Sequence, residues 1–123
     1  MSQDLTNNPI SFVAGADLSA ASNLYKAVKF DPTSGGVVIA GLNDHAIGIL
    51  VELATAGNMV AVACDRTTKC TVSGSVTAGD RVVCDASGFL KKTTATTGVD
   101  SIGFVVEDGS ANDIVELFIE KMR

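Results

Sequence analysis

One stretch of this chain is written twice, and that constrains the fold more than any other feature. Residues 47–62 read IGILVELATAGNMVAV and residues 102–117 read IGFVVEDGSANDIVEL, at a constant offset of 55 residues. The copies align without a gap. Ile47/Ile102, Gly48/Gly103, Val51/Val106, Glu52/Glu107, Ala56/Ala111 and Val60/Val115 are identical. Val76 to Val83 reads as a third, partial copy. Each copy is an apolar run, a small-residue turn with Asn or Asp, and an alternating run. That pattern is a strand, a tight turn and a returning strand.

Extended to the whole chain, the pattern predicts eight to ten short strands. They fall at Leu24–Phe30, Val37–Ala40, Ile47–Leu53, Met59–Cys64, Lys69–Ser73, Arg81–Cys84, Phe89–Lys92, Ser101–Glu107 and Asp113–Lys121. Asp31–Gly36, Gly41–Asp44, Asp65–Thr68 and Asp85–Gly88 read as turns, and Gly74–Asp80 holds the middle one. Ala14–Asn23 is a loop or one short helical turn starting near Asp17. Thr93–Asp100 reads as a polar, exposed segment. No long segment has a helical period, so helix content is small. The expected fold is all-β: a small compact β-barrel or sandwich of short strands with a repeated β-hairpin. Residues 1–11 read as an extended N-terminal arm and residues 12–123 as a single β domain. The two repeat hairpins are expected to take equivalent places in one closed sheet.

Composition agrees. The hydrophobic fraction is 46% but aromatics are 5%, with no Trp, so the apolar mass is the aliphatic kind that strands prefer. Charged residues are 19%, below the roughly 25% usual in globular domains. Either the domain buries its own surface well, or it hides surface against a partner. A net charge of −5, with nine scattered Lys and Arg, argues against nucleic acid and against anionic membrane. The N-terminus is polar and acidic and lacks the marks of a secretory signal. Ala46–Cys64 has the length of a membrane helix, but Glu52, Asn58, Gly48 and Gly57 interrupt it and its second half alternates. Cys64, Cys70 and Cys84 fit no zinc spacing and read as three reduced, mostly buried thiols.

Chemistry-bearing residues are sparse. His45 is the only imidazole and sits in a turn; it reads as an exposed turn residue rather than a general base. Glu52 and Glu107 hold matching repeat positions, and they read as outward-facing strand ends rather than an acid/base pair. Asp100, Asp108 and Asp113 lack the ligand ladder of a calcium loop. No phosphate-binding loop, zincin helix or nucleophile elbow appears. The expectation is no enzyme, no cofactor and no metal. A carrier module of the lipoyl or biotinyl kind is an alternative, because Ala78-Gly79-Asp80-Arg81-Val82-Val83 is a turn phrase found there. The nearest candidate lysine for modification, Lys69 in Thr67-Thr68-Lys69-Cys70, has the wrong context.

A broader resemblance covers about Ser11 to Ile119. In order, the chain carries SFVAGADL (11–18), LYKAVKF (24–30), GGVVIAG (35–41), HAIGIL (45–50), AGNMVAV (56–62), TAGDRV (77–82), DASG (85–88), SIGFV (101–105) and NDIVEL (112–117). In that order it resembles the head-decoration, or capsid cement, proteins of tailed bacteriophages. The resemblance implies a structural virion protein on the outer capsid surface, made in the host bacterial cytoplasm. It would stabilise the head by binding the major capsid protein, as a homotrimer at three-fold or quasi-three-fold points. A capsid-surface adhesion protein and a ligand-binding β module are the alternatives. Ile10, Phe12, Leu18 and Tyr25 are the candidate capsid or trimer contacts.

Overall fold

The computed structural model describes residues 9–42, 44–94 and 101–120. Within these described residues ten strands form two antiparallel five-stranded sheets. The first holds β1 (Ile10–Val13), β2 (Ala27–Asp31), β3 (Gly36–Ile39), β4 (Gly48–Leu50) and β5 (Met59–Ala63). The second holds β6 (Thr67–Thr71), β7 (Arg81–Cys84), β8 (Leu90–Lys92), β9 (Gly103–Val105) and β10 (Ile114–Ile119). Among the described residues helix is confined to two short 3-10 turns, Ala21–Asn23 and Ala86–Gly88.

The sheets have one topology. Strand order is β1-β5-β4-β2-β3 in the first and β6-β10-β9-β7-β8 in the second. Register is repeated as well. Leu50 lies opposite Val62 as Val105 lies opposite Leu117, and Val28 opposite Gly48 as Val82 opposite Gly103. A single parallel bridge curls each sheet, Ala14 with Val37 and Val72 with Leu90. One residue pair is not a strand pairing, so neither sheet closes into a barrel. The chain is therefore a sandwich-like pair of duplicated halves. The two repeat hairpins, β4–β5 and β9–β10, do take equivalent places, but in two sheets rather than in one closed sheet.

Each half builds its own core from the same positions. Ala14, Leu18, Val28, Val37, Leu50, Val60 and Val62 pack together in the first. Their counterparts Val72, Val76, Val82, Leu90, Val105, Val115 and Leu117 pack together in the second. The second cluster continues into Ala27, Ile49 and Ala63 of the first half, and this joins the halves. Burying an aliphatic side chain of this size contributes roughly 1.5–3 kcal/mol, so each seven-residue set is a substantial nucleus.

Several boundaries differ from expectation for local reasons. β2 begins at Ala27, not Leu24, because Tyr25 sits at φ +68°, outside the extended region. β4 ends at Leu50 because the chain beyond it turns to the loop at Leu18, whose N–H donates to the Ala54 carbonyl at 2.9 Å. β6 starts two residues earlier than expected, since the β-branched pair Thr67–Thr68 aligns with Phe118 and Leu117. Val76–Val83 is not a third hairpin. It is the lead-in to β7, the counterpart of the segment before β2, with Gly79 (φ +95°) standing where Tyr25 stands. Strand β1 begins at Ile10, so strand structure starts inside the segment read as an arm; residues 1–8 lie outside the described residues, as does most of Thr93–Asp100.

Candidate interaction surface

Three of the candidate carboxylates, Asp108, Asp113 and Glu107, hold local structure. Asp108 accepts the Ala78 N–H at 2.8 Å, and Asp113 accepts the Ser110 N–H at 2.8 Å. These bonds fix the turns of the second half. Asp100 lies outside the described residues. Glu107 accepts the Glu116 N–H at 2.7 Å, and both Glu52 and Glu107 are exposed, as strand-end residues should be. His45 is exposed. Lys69 lies in the middle of β6 opposite Glu116, not in a tight turn, so the carrier reading loses its lysine. Among the described residues no three His, Cys, Asp or Glu side chains gather as a metal site would require, and no helix is long and apolar enough to cross a membrane.

The cysteines follow burial. Cys70 and Cys84 are buried and Cys64 is half-buried, and none is bonded to another. Burial pushes the Cys70 thiol up to about 12, with Glu116 and Glu107 adding to the effect. Burial also raises Cys64, helped by Asp65. A thiol held protonated is a poor nucleophile and a poor metal ligand.

Surface charge is dispersed. Lys29 pairs with Asp44 at 2.8 Å, Arg81 with Glu120 at 3.4 Å and Lys92 with Asp80 at 3.8 Å. The Asp44 contact raises the Lys29 ammonium, and in turn the Lys29 hydrogen bond and the Gly41 N–H hold Asp44 below the usual carboxylate range. Pairs this exposed contribute little to stability.

What remains is apolar surface and the seam between the halves. Ile10, Phe30, Met59, Ile114 and Phe118 are each between 41% and 53% exposed. Phe118 stacks on Phe104 with ring centroids 5.2 Å apart. Two shallow clefts flank Tyr25 along the seam. One, of about 330 Å³, is lined by Leu24, Lys26, Phe89 and Ile114; the other, of about 450 Å³, by Pro9, Val51, Thr68 and Glu116. Lys26 places its ammonium 5.1 Å from the Phe89 ring centre, a cation–π contact across the seam.

The four expected contact residues separate. Ile10 is exposed and open to a partner. Phe12 is half-buried against the first core. Tyr25 is a seam residue: its N–H donates to Leu50 at 2.8 Å and its carbonyl accepts from Thr71 at 3.0 Å, tying the halves together. Leu18 is 2% exposed and plugs the first core, as Val76 plugs the second, so it cannot meet a partner and is corrected to a core residue. Sequence reading missed Phe30, Phe104 and Phe118. Their exposure depends on which face of each sheet the other half covers, and strand alternation alone does not carry that.

No protein-family model matches the chain, and no curated protein matches it. Among solved structures it is similar to the head fiber gp8.5 N base of bacteriophage phi29. The two superpose with a TM-score of 0.72 at 15% sequence identity, over 94% of this chain and 96% of that one. The chain thus shares its fold with that fiber base along nearly its whole length.

Proposed function

We propose that this protein is a structural component of a tailed-phage head, bound to the outer surface of the shell as a decoration protein and stabilising it, with no enzymatic activity and no cofactor. The observation that carries the reading is the end-to-end match of fold to a phage head fiber base. The ordered phrases from SFVAGADL to NDIVEL point the same way from sequence.

The physics of such a role suits the molecule. A decoration protein needs a rigid body and repeated contacts rather than a pocket, because weak contacts multiply through avidity across a shell. Two cores and a tied seam supply the rigidity. Its partners are the major capsid protein and further copies of itself, and a homotrimer would match three-fold sites on the shell. The segment ahead of β1 is the candidate shell-binding arm. A second reading, an adhesive protein on the capsid surface, is favoured by the neighbour's description as a head fiber base.

The test is sedimentation of the purified protein with expanded, undecorated heads of the phage that encodes it. Saturable binding at a fixed ratio to the major capsid protein, with heads that then resist heat better, is expected. Saturable binding without added heat resistance favours the adhesive reading. Absence of binding at every maturation stage overturns both. Deleting residues 1–8 should leave a folded protein that binds heads poorly, and undiminished binding would remove the arm's role.

A further inference from the structure

The two halves do not meet through the same face. Ala27, Ile49 and Ala63 of the first half are fully buried in the cluster that joins the halves. Their register counterparts in the second half are Arg81, Phe104 and Phe118. None of these three belongs to that cluster: Arg81 is exposed, Phe104 is half-buried and Phe118 is 41% exposed.

The reverse asymmetry holds on the other side of the joint. Thr68 and Cys84 of the second half are 6% and 1% exposed. Thr68 lines the seam cleft with Tyr25 and Val51, and Cys84 lies in the joining cluster with Ala27. Gly88, in the turn after β7, presses against Ile39 and Lys26 of the first half. By register the counterparts of Thr68 and Cys84 are Ile10 and Phe30, and these are 51% and 49% exposed. The joint is therefore heterologous, one face of a half set on a different face of its twin. One face of each kind is left open, Phe104–Phe118 on the second half and Ile10–Phe30 on the first.

The open faces combine charged and apolar residues: Arg81 stands where the joint has Ala27 and Lys92 where it has Ile39, but the large apolar side chains beside them are not what water favours. Phe118 stands where the sealed joint has Ala63, Phe104 where it has Ile49, Phe30 where it has Cys84 and Ile10 where it has Thr68. At all four positions the open copy carries the bulkier apolar side chain. A surface facing solvent has no use for that gain, whereas a contact surface does.

We infer that copies of this chain join head to tail, the Phe104–Phe118 face of one copy packing on the Ile10–Phe30 face of the next. The occupant is a second copy because faces at the equivalent positions, with other side chains, already meet once inside each chain, and each chain carries both of the open ones. Repeating a heterologous contact closes a ring or extends a filament. In a closed ring every half has both faces covered. The inference rests on the self-association part of the proposed function and names its surface; it does not depend on binding to heads.

The test uses the full chain in solution without heads, by light scattering after gel filtration and by sedimentation velocity. The wild-type protein is expected to run as one species of several chains. Phe118→Asp and Ile10→Asp, on opposite faces, should each give a monomer with an unchanged far-UV circular dichroism spectrum. Phe30→Asp is the second variant for the first-half face should Ile10→Asp fail to fold. Mixing the two monomeric variants at high concentration should give a one-to-one dimer, because each retains the face the other lacks. A monomeric wild-type protein, variants that stay assembled, or a mixture that stays monomeric would overturn the inference. Heads that fail to bind an assembled protein would count against the proposed function alone.

Discussion

Gly48 and Gly103 are the same residue of the fold in two places. Gly48 opens β4 and Gly103 opens β9, and each faces the backbone of the returning strand. A Cβ on Gly48 would run into the Ala63 carbonyl oxygen, and a Cβ on Gly103 into the Phe118 carbonyl oxygen. Ala63 and Phe118 are themselves counterparts, placed opposite Ile49 and Phe104. The identity of these two glycines is thus a steric requirement met twice.

Gly48→Ala and Gly103→Ala should each destabilise the protein by about 1–3 kcal/mol, because the colliding atom is backbone and cannot swing aside. Thermal unfolding followed by circular dichroism measures this. Melting temperatures within a degree of wild type would contradict the steric account.

Gly57 (φ +87°) and Asn112 (φ +70°) are also counterparts, each donating its N–H back to the start of its half, to Ala14 at 2.9 Å and Val72 at 2.8 Å. Asn tolerates this left-handed backbone and Ala does not. Asn112→Gly should be close to neutral, within about 0.5 kcal/mol, while Asn112→Ala should cost about 1 kcal/mol. Urea midpoints for the pair give the comparison. An alanine variant as stable as the glycine variant would contradict it.

Cys64, Cys70 and Cys84 should differ in reactivity. At pH 8 an alkylating reagent should modify Cys64 first. Cys70 and Cys84 should react only on opening of the fold, roughly a thousandfold more slowly or less. Mass spectrometry of timed samples reads this. The raised Cys70 thiol also has a pH consequence. Its contribution is fully present below the ordinary thiol value and is lost as pH rises from about 8.5 toward about 12. Equal labelling of all three in the native protein would contradict the assigned burial.

Asp85 accepts the Ser73 hydroxyl at 2.7 Å and the Ala86 N–H at 2.8 Å, which hold its carboxyl below the usual range, the hydroxyl being the larger influence. The first half solves the same problem differently. Asp31 takes its hydroxyl from Ser34, and Gly15, the counterpart of Ser73, has no room for a Cβ beside that hydroxyl. A depressed carboxyl stabilises the fold above its unfolded value and loses that contribution as pH falls through the folded one. Asp85→Asn should therefore destabilise at pH 7, and its deficit against wild type should shrink as pH drops below about 4. A deficit that does not change between pH 7 and pH 3 would contradict the assigned bonds.

The hairpin turns and Arg81–Cys84 were legible because turn residues and β-branched runs act locally. The full duplication was not. Only β4–β5 and β9–β10 repeat without a gap. The loops before them differ in length: the segment from Ala14 to β2 is longer than that from Val72 to β7, and Asp31–Gly36 is longer than Asp85–Phe89. Such changes slide the remaining counterparts out of alignment while register and hydrogen bonds keep them in place. Tyr25 hid the correspondence further, since nothing in its own sequence neighbourhood marks a left-handed backbone that the second half gives to Gly79. The contact faces were illegible for a different reason. Exposure of Phe30 and Phe118 is decided by how one half sits on the other, a tertiary property with no local signal.

The most direct test of the account is an electron cryomicroscopy reconstruction of expanded heads saturated with the protein, compared with bare heads. The account predicts added density on the outside of the shell, at three-fold or quasi-three-fold points, into which copies of the two-sheet sandwich fit. Saturated heads that show no added density on the shell, or density confined to the tail vertex, would contradict it.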